Sequence, residues 1–317
     1  MEAIMKLDRG LAGIVAAVML TAMSSAWAAV PRMVETAPGV QIRVLDAGAK
    51  DAALTLVLVP GWRFTADIWR EQIDTFSGRY RVITLDPRSQ GDSTKALEGN
   101  TPEDRAADLH TILDRLHAGP AVLVGWSQGA QDVGAYVGKF GTSNLRGLVF
   151  VDGAPAQGWE KAVAAPGLAQ QLQRISQYAR NSREATEGMV RSVFRTQRPK
   201  LELERLIADA MKTPPTIAAA MLEDDIFGPD RMRPLAKADV PALLIAADAS
   251  PNAADLAALA NVLPKALPVK SIAGAGHAVF VDQPNAFDAV LSAFLGQLQE
   301  DAQSSQRHGR GAAREAP

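Results

Sequence analysis

The 317-residue chain contains no cysteine. That excludes a disulfide framework, thiolate metal ligation and a lipidated cysteine anchor, so stability has to come from the core. A dominant charge of one sign is also missing, since 33 basic residues stand against 35 acidic ones, spread along the chain. No basic patch argues for a nucleic acid or other polyanion, or for a membrane surface, and a small neutral or weakly charged ligand fits better. Long hydrophobic runs are absent as well. The N-terminal run, Leu11 to Met23, is thirteen residues, well short of the roughly 20 that a membrane-spanning helix needs. What is present is 47% apolar residues, enough for a large core in one big domain or two small ones.

Lys6 and Arg9 precede that apolar run, and Ala26-Trp27-Ala28 follows it with the small-x-small pattern of a cleavage site. Residues 1–28 therefore read as a secretory signal, and the expected product is a periplasmic or secreted protein with no membrane attachment after cleavage. At the other end, EDAQSSQRHGRGAAREAP has no apolar period, and residues 299–317, His308 among them, are expected to form a disordered tail.

Between the ends, apolar runs alternate with helix-period segments: LTLVLV (54–59), RVITL (81–85), AVLVG (121–125), GLVFV (147–151), ALLIAA (242–247) and PVKSI (268–272). Runs this apolar are strands buried on both faces, and their alternation with helices predicts a mostly parallel, doubly wound α/β sheet. One helix is easily drawn. Thr101 is its N-cap, Pro102 its first residue and Asp104 its N3 position, with Leu109, Ile112, Leu113 and Leu116 on one face. His110 and His117 fall on this helix as surface residues. Residues 156–235 hold helices but no strand, so they are expected to insert as a helical cap over the sheet's carboxyl edge, where open α/β sheets place their ligand crevice. The core is then residues 31–155 and 236–298.

Gly125-Trp126-Ser127-Gln128-Gly129 follows the AVLVG strand directly and opens a helical segment rich in small residues. A strand-to-helix turn this tight strains the serine backbone, projects its hydroxyl into the crevice and leaves the Gln128 N–H at a helix N-terminus, where it can stabilise an oxyanion. A serine hydroxyl needs a base within hydrogen-bond reach. With two histidines on a surface helix and one in the tail, His277 remains, on a glycine-rich loop after the last strand and before a closing helix from about Pro284 to Leu298.

Together GWSQG, AGAGHAVFVDQP and LVLVPGW followed by DPRSQGDS resemble the α/β-hydrolase superfamily, in the branch of esterases, lactonases and cofactor-free haloperoxidases, over residues 34–298. The resemblance implies Ser127 as nucleophile, His277 as base, and the N–H groups of Trp62 and Gln128 as the oxyanion hole, with no metal or organic cofactor. There are departures. Pro60 stands where the family commonly has histidine before Gly61, and Ser89-Gln90 where it often shows Gly-His. A serine nucleophile also sets the chain apart from dehalogenases and epoxide hydrolases of this fold, which attack with a carboxylate.

The acid is ambiguous. In LLIAADASPN its usual slot holds Ser250, which cannot serve. Asp248 lies two residues early and needs a bulge to reach the histidine. Asp152, directly after GLVFV, occupies the position where some members carry the acid, and it is the preferred candidate with Asp248 as the alternative. Asp86 and Asp92 read as turn formers and Arg88 as a structural ion-pair partner. Of Trp62, Phe64, Trp69, Trp126 and Trp159, two or three are expected to line the pocket. The expected function is hydrolysis of a carboxylic ester, thioester or lactone through an acyl-enzyme. The rivals are haloperoxidase or perhydrolase activity on the same triad, and a ligand-binding protein without turnover.

Overall fold

The computed structural model describes residues 29–312, with side chains as far as Ser304. The expected signal segment, residues 1–28, lies outside them. The described chain forms one eight-stranded sheet in the order β1-β2-β4-β3-β5-β6-β7-β8. Its strands are β1 (Val30–Ala37), β2 (Val40–Ala47), β3 (Thr55–Val59), β4 (Arg81–Leu85), β5 (Ala121–Trp126), β6 (Leu145–Val151), β7 (Ala242–Ala247) and β8 (Lys270–Ile272). From β4 across to β8 every pairing is parallel, whereas β1 pairs β2, and β2 pairs β4, antiparallel. Every residue of β3, β4, β5 and β7 is buried, as a sheet covered by helices on both faces requires.

The β1-β2 hairpin is an addition to the expected strands. Charges such as Arg32, Glu35 and Arg43 interrupt its apolar pattern, and β1 is largely exposed at the sheet edge. Only half-buried alternation marks it in the sequence, a weaker signal than a continuous apolar run. Arg81 fastens β2 to β4 from inside, donating from Nε and Nη2 to the two carboxylate oxygens of Asp46 at 2.9 Å each.

The covering helices are α1 (Arg70–Phe76), α2 (Pro102–Arg115), α3 (Gln128–Phe140), α9 (Ala253–Val262), α10 (Val279–Asp282) and α11 (Pro284–Ala312). Between β6 and β7 come α4 (Trp159–Ala164), α5 (Leu168–Arg180), α6 (Ser182–Ser192), α7 (Lys200–Ala210) and α8 (Pro215–Phe227), a helical insertion with no named strand in it. The C-terminal expectation needs correction. Helix α11 runs on to Ala312, through most of the segment read as a disordered tail. Extending a helix that is already nucleated costs little, and Glu300, Ala302 and Gln303 are good helix formers, so loss of the apolar period ends the packed face before it ends the helix.

Helix α2 begins as read. The Thr101 side chain accepts from the Asp104 amide while the Asp104 carboxylate accepts from the Thr101 amide, a complete capping box with Pro102 as the first helical residue. His110 and His117 are exposed. Thr101→Ala is expected to lower the urea midpoint by the equivalent of about 1 kcal/mol with an unchanged slope. A chemical-denaturation curve checks this, and an unchanged midpoint would show that the cap contributes nothing.

Candidate active site

Strands β4 and β5 lie on opposite sides of β3, so the chain's winding reverses there, and loops leaving the carboxyl ends of neighbouring strands splay apart into a crevice. Register sets which residues meet at that edge. Val59 is paired with Gly125, Trp126 with Val151, and Val151 with Ile245. The residues just past these ends, from Pro60, Ser127, Asp152 and Asp248, are thus brought to one rim.

Ser127 takes φ 54°, ψ −117°, a strained conformation for a side-chain-bearing residue, between the end of β5 and the first residue of α3. The flanking glycines make the turn possible. A Cβ on Gly125 would lie 2.4 Å from the Gly129 carbonyl oxygen, and one on Gly129 would lie 2.4 Å from that of Val59. Both are impossible contacts, so helix α3 can press this closely on β3 and β5 only without those side chains.

From Ser127 a chain of hydrogen bonds runs inward. Its Oγ is 2.8 Å from His277 Nε2, and His277 Nδ1 is 2.7 Å from Asp152 Oδ2. His277 is steadied by Trp126, whose indole N–H donates to the His277 carbonyl oxygen at 2.8 Å. Asp152 is fully buried. Burial pushes its carboxyl up, but hydrogen bonds from His277, Ser250 and the Ala247 amide outweigh it and hold the group below the ordinary carboxylate value. Ser250 is therefore placed to hold the acid of the neighbouring strand. Asp248, the alternative acid, lies outside this chain of contacts. It is exposed, with Oδ1 2.8 Å from Arg195 Nη1 and Oδ2 accepting from the Gly274 amide. The bulge it needed is not formed, because its amide continues the strand pattern by donating to Ile272.

The amides of Trp62 and Gln128 have no acceptor among the described residues. Across from Ser127, the Trp62 loop is closed by the Phe64 amide donating to the Gly61 carbonyl at 3.0 Å, and the Arg63 amide donates to Gln90 Oε1. Gln90 thus performs a tethering role in one of the two stretches that depart from the family pattern. Asp86 accepts from the Ala66 and Asp92 amides and pairs with Arg43, and Arg88 forms a two-point ion pair with Asp108. Both support the loop after β4, as read.

Ser127 and His277 open onto a cavity of about 1210 Å³ between the sheet edge and the inserted helices. Trp62, Phe64 and Trp126 line it together with Met189, Leu222 and Ile226 from the insertion. Trp69 and Trp159 do not. The first stacks on Phe280 in the core and the second is exposed on α4. No cluster of three or more His, Asp or Glu among the described residues is arranged to hold a metal ion.

A family model described as the alpha/beta hydrolase family matches residues 56–290. The chain belongs to that family. A non-heme chloroperoxidase of Kitasatospora aureofaciens is 32% identical over 121 residues, covering 38% of this chain and 43% of that one. A bifunctional esterase/perhydrolase of Acinetobacter calcoaceticus is 30% identical over 123 residues, covering 38% and 44%. The match thus spans less than half the length of these relatives. The crystal structure of a bromoperoxidase from Bacillus anthracis superposes with a TM-score of 0.76 at 22% identity, over 84% of this chain and all of that one, a likeness of fold.

One cluster beside the site gave no sequence signal. Asp225, on α8, accepts from the Gln128 side-chain amide, and its other oxygen lies 3.5 Å from Arg105, which also pairs with Asp132 at 2.8 Å. Burial pushes both carboxyls up against the pull of Arg105, Asp132 to about 6 and Asp225 to about 7. Their folded values exceed the ordinary 3.8, so between about pH 4 and 7 the folded chain holds protons that the unfolded chain releases. The cluster's contribution to stability is full at the acid end and lost as the pH rises through 7. Asp225→Asn is accordingly expected to gain stability relative to the parent as the pH is raised from about 4 to 8. Thermal melts across that range test this, and a pH-independent difference would show that Asp225 does not titrate there.

Proposed function

We propose that the protein is a serine hydrolase that cleaves a carboxylic ester, thioester or lactone through an acyl-enzyme. The observation that carries this reading is the continuous contact from Ser127 Oγ through His277 to buried Asp152, at the wall of a cavity large enough for a small-molecule substrate. In the proposed reaction His277 Nε2 takes the Ser127 proton as Oγ attacks the carbonyl carbon. The Asp152 carboxylate holds the other ring nitrogen protonated and stabilises the imidazolium. The oxyanion of the tetrahedral intermediate accepts from the Trp62 and Gln128 amides, the latter at the positive end of α3, each worth about 3 kcal/mol in the transition state. Collapse expels the alcohol, thiol or ring oxygen, protonated by His277. Water, deprotonated by the same imidazole, then releases the acid and restores Ser127.

The names of the relatives favour a second reading on the same residues. Hydrogen peroxide in place of water would release a peracid from the acyl-enzyme, and the peracid would oxidise halide without a cofactor. Peroxide-dependent halide oxidation in acetate buffer, measured beside ester hydrolysis, separates the two by their ratio of rates. In either reading the leader suggested by residues 1–28 places the protein in the periplasm or outside the cell, and the mature chain is expected to begin at Ala29 on N-terminal sequencing.

The roles are tested without knowing the substrate. A fluorophosphonate is expected to add one label to the parent, read by intact mass, and none to Ser127→Ala. Asp152→Asn should slow labelling by roughly 10,000-fold, since the histidine then rests in the wrong tautomer, while Asp248→Asn should label at the parental rate. Collapse of labelling in Asp248→Asn alone would move the acid, and a folded parent that does not label would overturn the hydrolase reading.

A further inference from the structure

Arg63 directly follows Trp62 and is a fully buried arginine with no carboxylate in ion-pairing range among the described residues. A buried guanidinium is costly unless its donors are used, and here every acceptor comes from the inserted helices. Nε donates to the carbonyl of Ala210, the last residue of α7, at 3.0 Å. Nη1 donates at 2.5 Å to Thr186 Oγ1 on α6, a hydroxyl whose own proton goes to the Ser182 carbonyl. Nη2 lies 3.7 Å from Met211 Sδ. The charge faces the negative end of α7 and sits 5.5 and 5.7 Å from the centroids of the Trp62 and Tyr178 rings. Burial lowers the guanidinium to about 10, still charged at neutral pH.

The backbone of the same residue belongs to the sheet edge. Arg63 stands at φ 64°, its amide held by Gln90 from the loop after β4. The Trp62 indole N–H adds a tie to the Ala218 carbonyl of α8 at 3.1 Å. The peptide that carries the Trp62 amide is held through its Gly61 carbonyl by the Phe64 amide, the next peptide is held through the Arg63 amide by Gln90 from the core side, and the Trp62 and Arg63 side chains tie the same loop to the insertion. Among these ties only the Arg63 side chain reaches both α6 and α7.

We infer that Arg63 is a positioning residue that fixes the Trp62 amide toward the reacting carbonyl by tying its loop to α6 and α7, so that the helical insertion takes part in transition-state stabilisation as well as in enclosing the cavity. This rests on the hydrolase reading. A group that only shapes the cavity changes ground-state and transition-state binding alike, whereas one that aims an oxyanion donor acts on the transition state.

The test compares the parent with Arg63→Met, Arg63→Lys and Thr186→Val, assayed with p-nitrophenyl acetate and inhibited with phenylboronic acid. In Arg63→Met kcat is expected to fall about 10- to 100-fold with KM within twofold, since misaiming a donor should cost less than the 100- to 1,000-fold of removing one. The phenylboronic acid inhibition constant should weaken in parallel. Arg63→Lys should recover part of the loss, and Thr186→Val should show a smaller loss with the same pattern. A folded Arg63→Met with parental kcat, or with raised KM alone, overturns the inference. Should Arg63→Met fail to fold, Arg63→Lys and Thr186→Val decide by the same criterion. Failure of the parent itself to hydrolyse the ester and to take a fluorophosphonate would sink the hydrolase reading, and this inference with it.

Discussion

The proposed chemistry depends on a carboxylate that stays ionised with no access to water. Asp152 loses all its hydration on folding, a change that by itself favours the neutral acid, and a neutral acid could neither orient His277 nor stabilise it as a cation. Protein hydrogen bonds replace the lost water. The Ala247 amide comes from the end of β7, the Ser250 hydroxyl from the loop beyond it, and the imidazole from the loop after β8. Asn252 fastens the Asp152 carbonyl from the same loop after β7. Three successive carboxyl ends of the sheet thus converge on one side chain, so the register of β6, β7 and β8 bears directly on the chemistry.

That convergence explains how the proposed acid can stand just past β6. Strand β6 ends where Val151 lies beside Ile245, two residues before β7 ends at Ala247, so Asp152 sits alongside the last residues of β7, about 4.8 Å away across the pair, and accepts from the Ala247 amide. With the carboxylate on β6, the loop after β7 needs only a hydroxyl and an amide donor, and Ser250 supplies the first. The residue that looked like a vacancy in the sequence is part of the acid's solvation. Asp248 is freed to pair with Arg195 on the surface.

Legibility in the sequence followed how local the determining physics is. Apolar runs exposed the six strands β3 to β8, although β8, the far edge of the sheet, is shorter than PVKSI and buries only Ile272, not both faces; the capping box exposed α2, and the glycine-flanked serine exposed the turn at Ser127, because these patterns satisfy their own sterics or hydrogen bonds within a few residues. The hairpin β1-β2 escaped, since an edge pair is stabilised by cross-strand partners that no run reveals. The extension of α11 escaped because propagation from a packed helix is invisible to a search for apolar periods. Arg63, Gln90 and Asp225 were unreadable as parts of the site. Arg63 meets Ala210 across 147 positions and Asp225 meets Gln128 across 97, and isolated polar residues in loops and helices carry no periodic mark of what they will touch.

These long-range contacts share a direction. Trp62 and Arg63 reach up to α6, α7 and α8, while Asp225 reaches down from α8 to the side chain of Gln128. The two residues whose amides form the proposed oxyanion hole are thus among those through which the sheet edge grips the insertion. A donor aimed at a transient charge is effective only if it does not relax away as the charge appears, and a loop bonded on one side alone would relax. Bonding each donor residue into the helices above gives it a second fixed side. The same contacts bind α8 to the nucleophile turn, so a change in the insertion that alters what the cavity admits also shifts how firmly those amides are held. In the proposed hydrolase, substrate selection and rate are coupled through this packing, with the buried polar ties as the link.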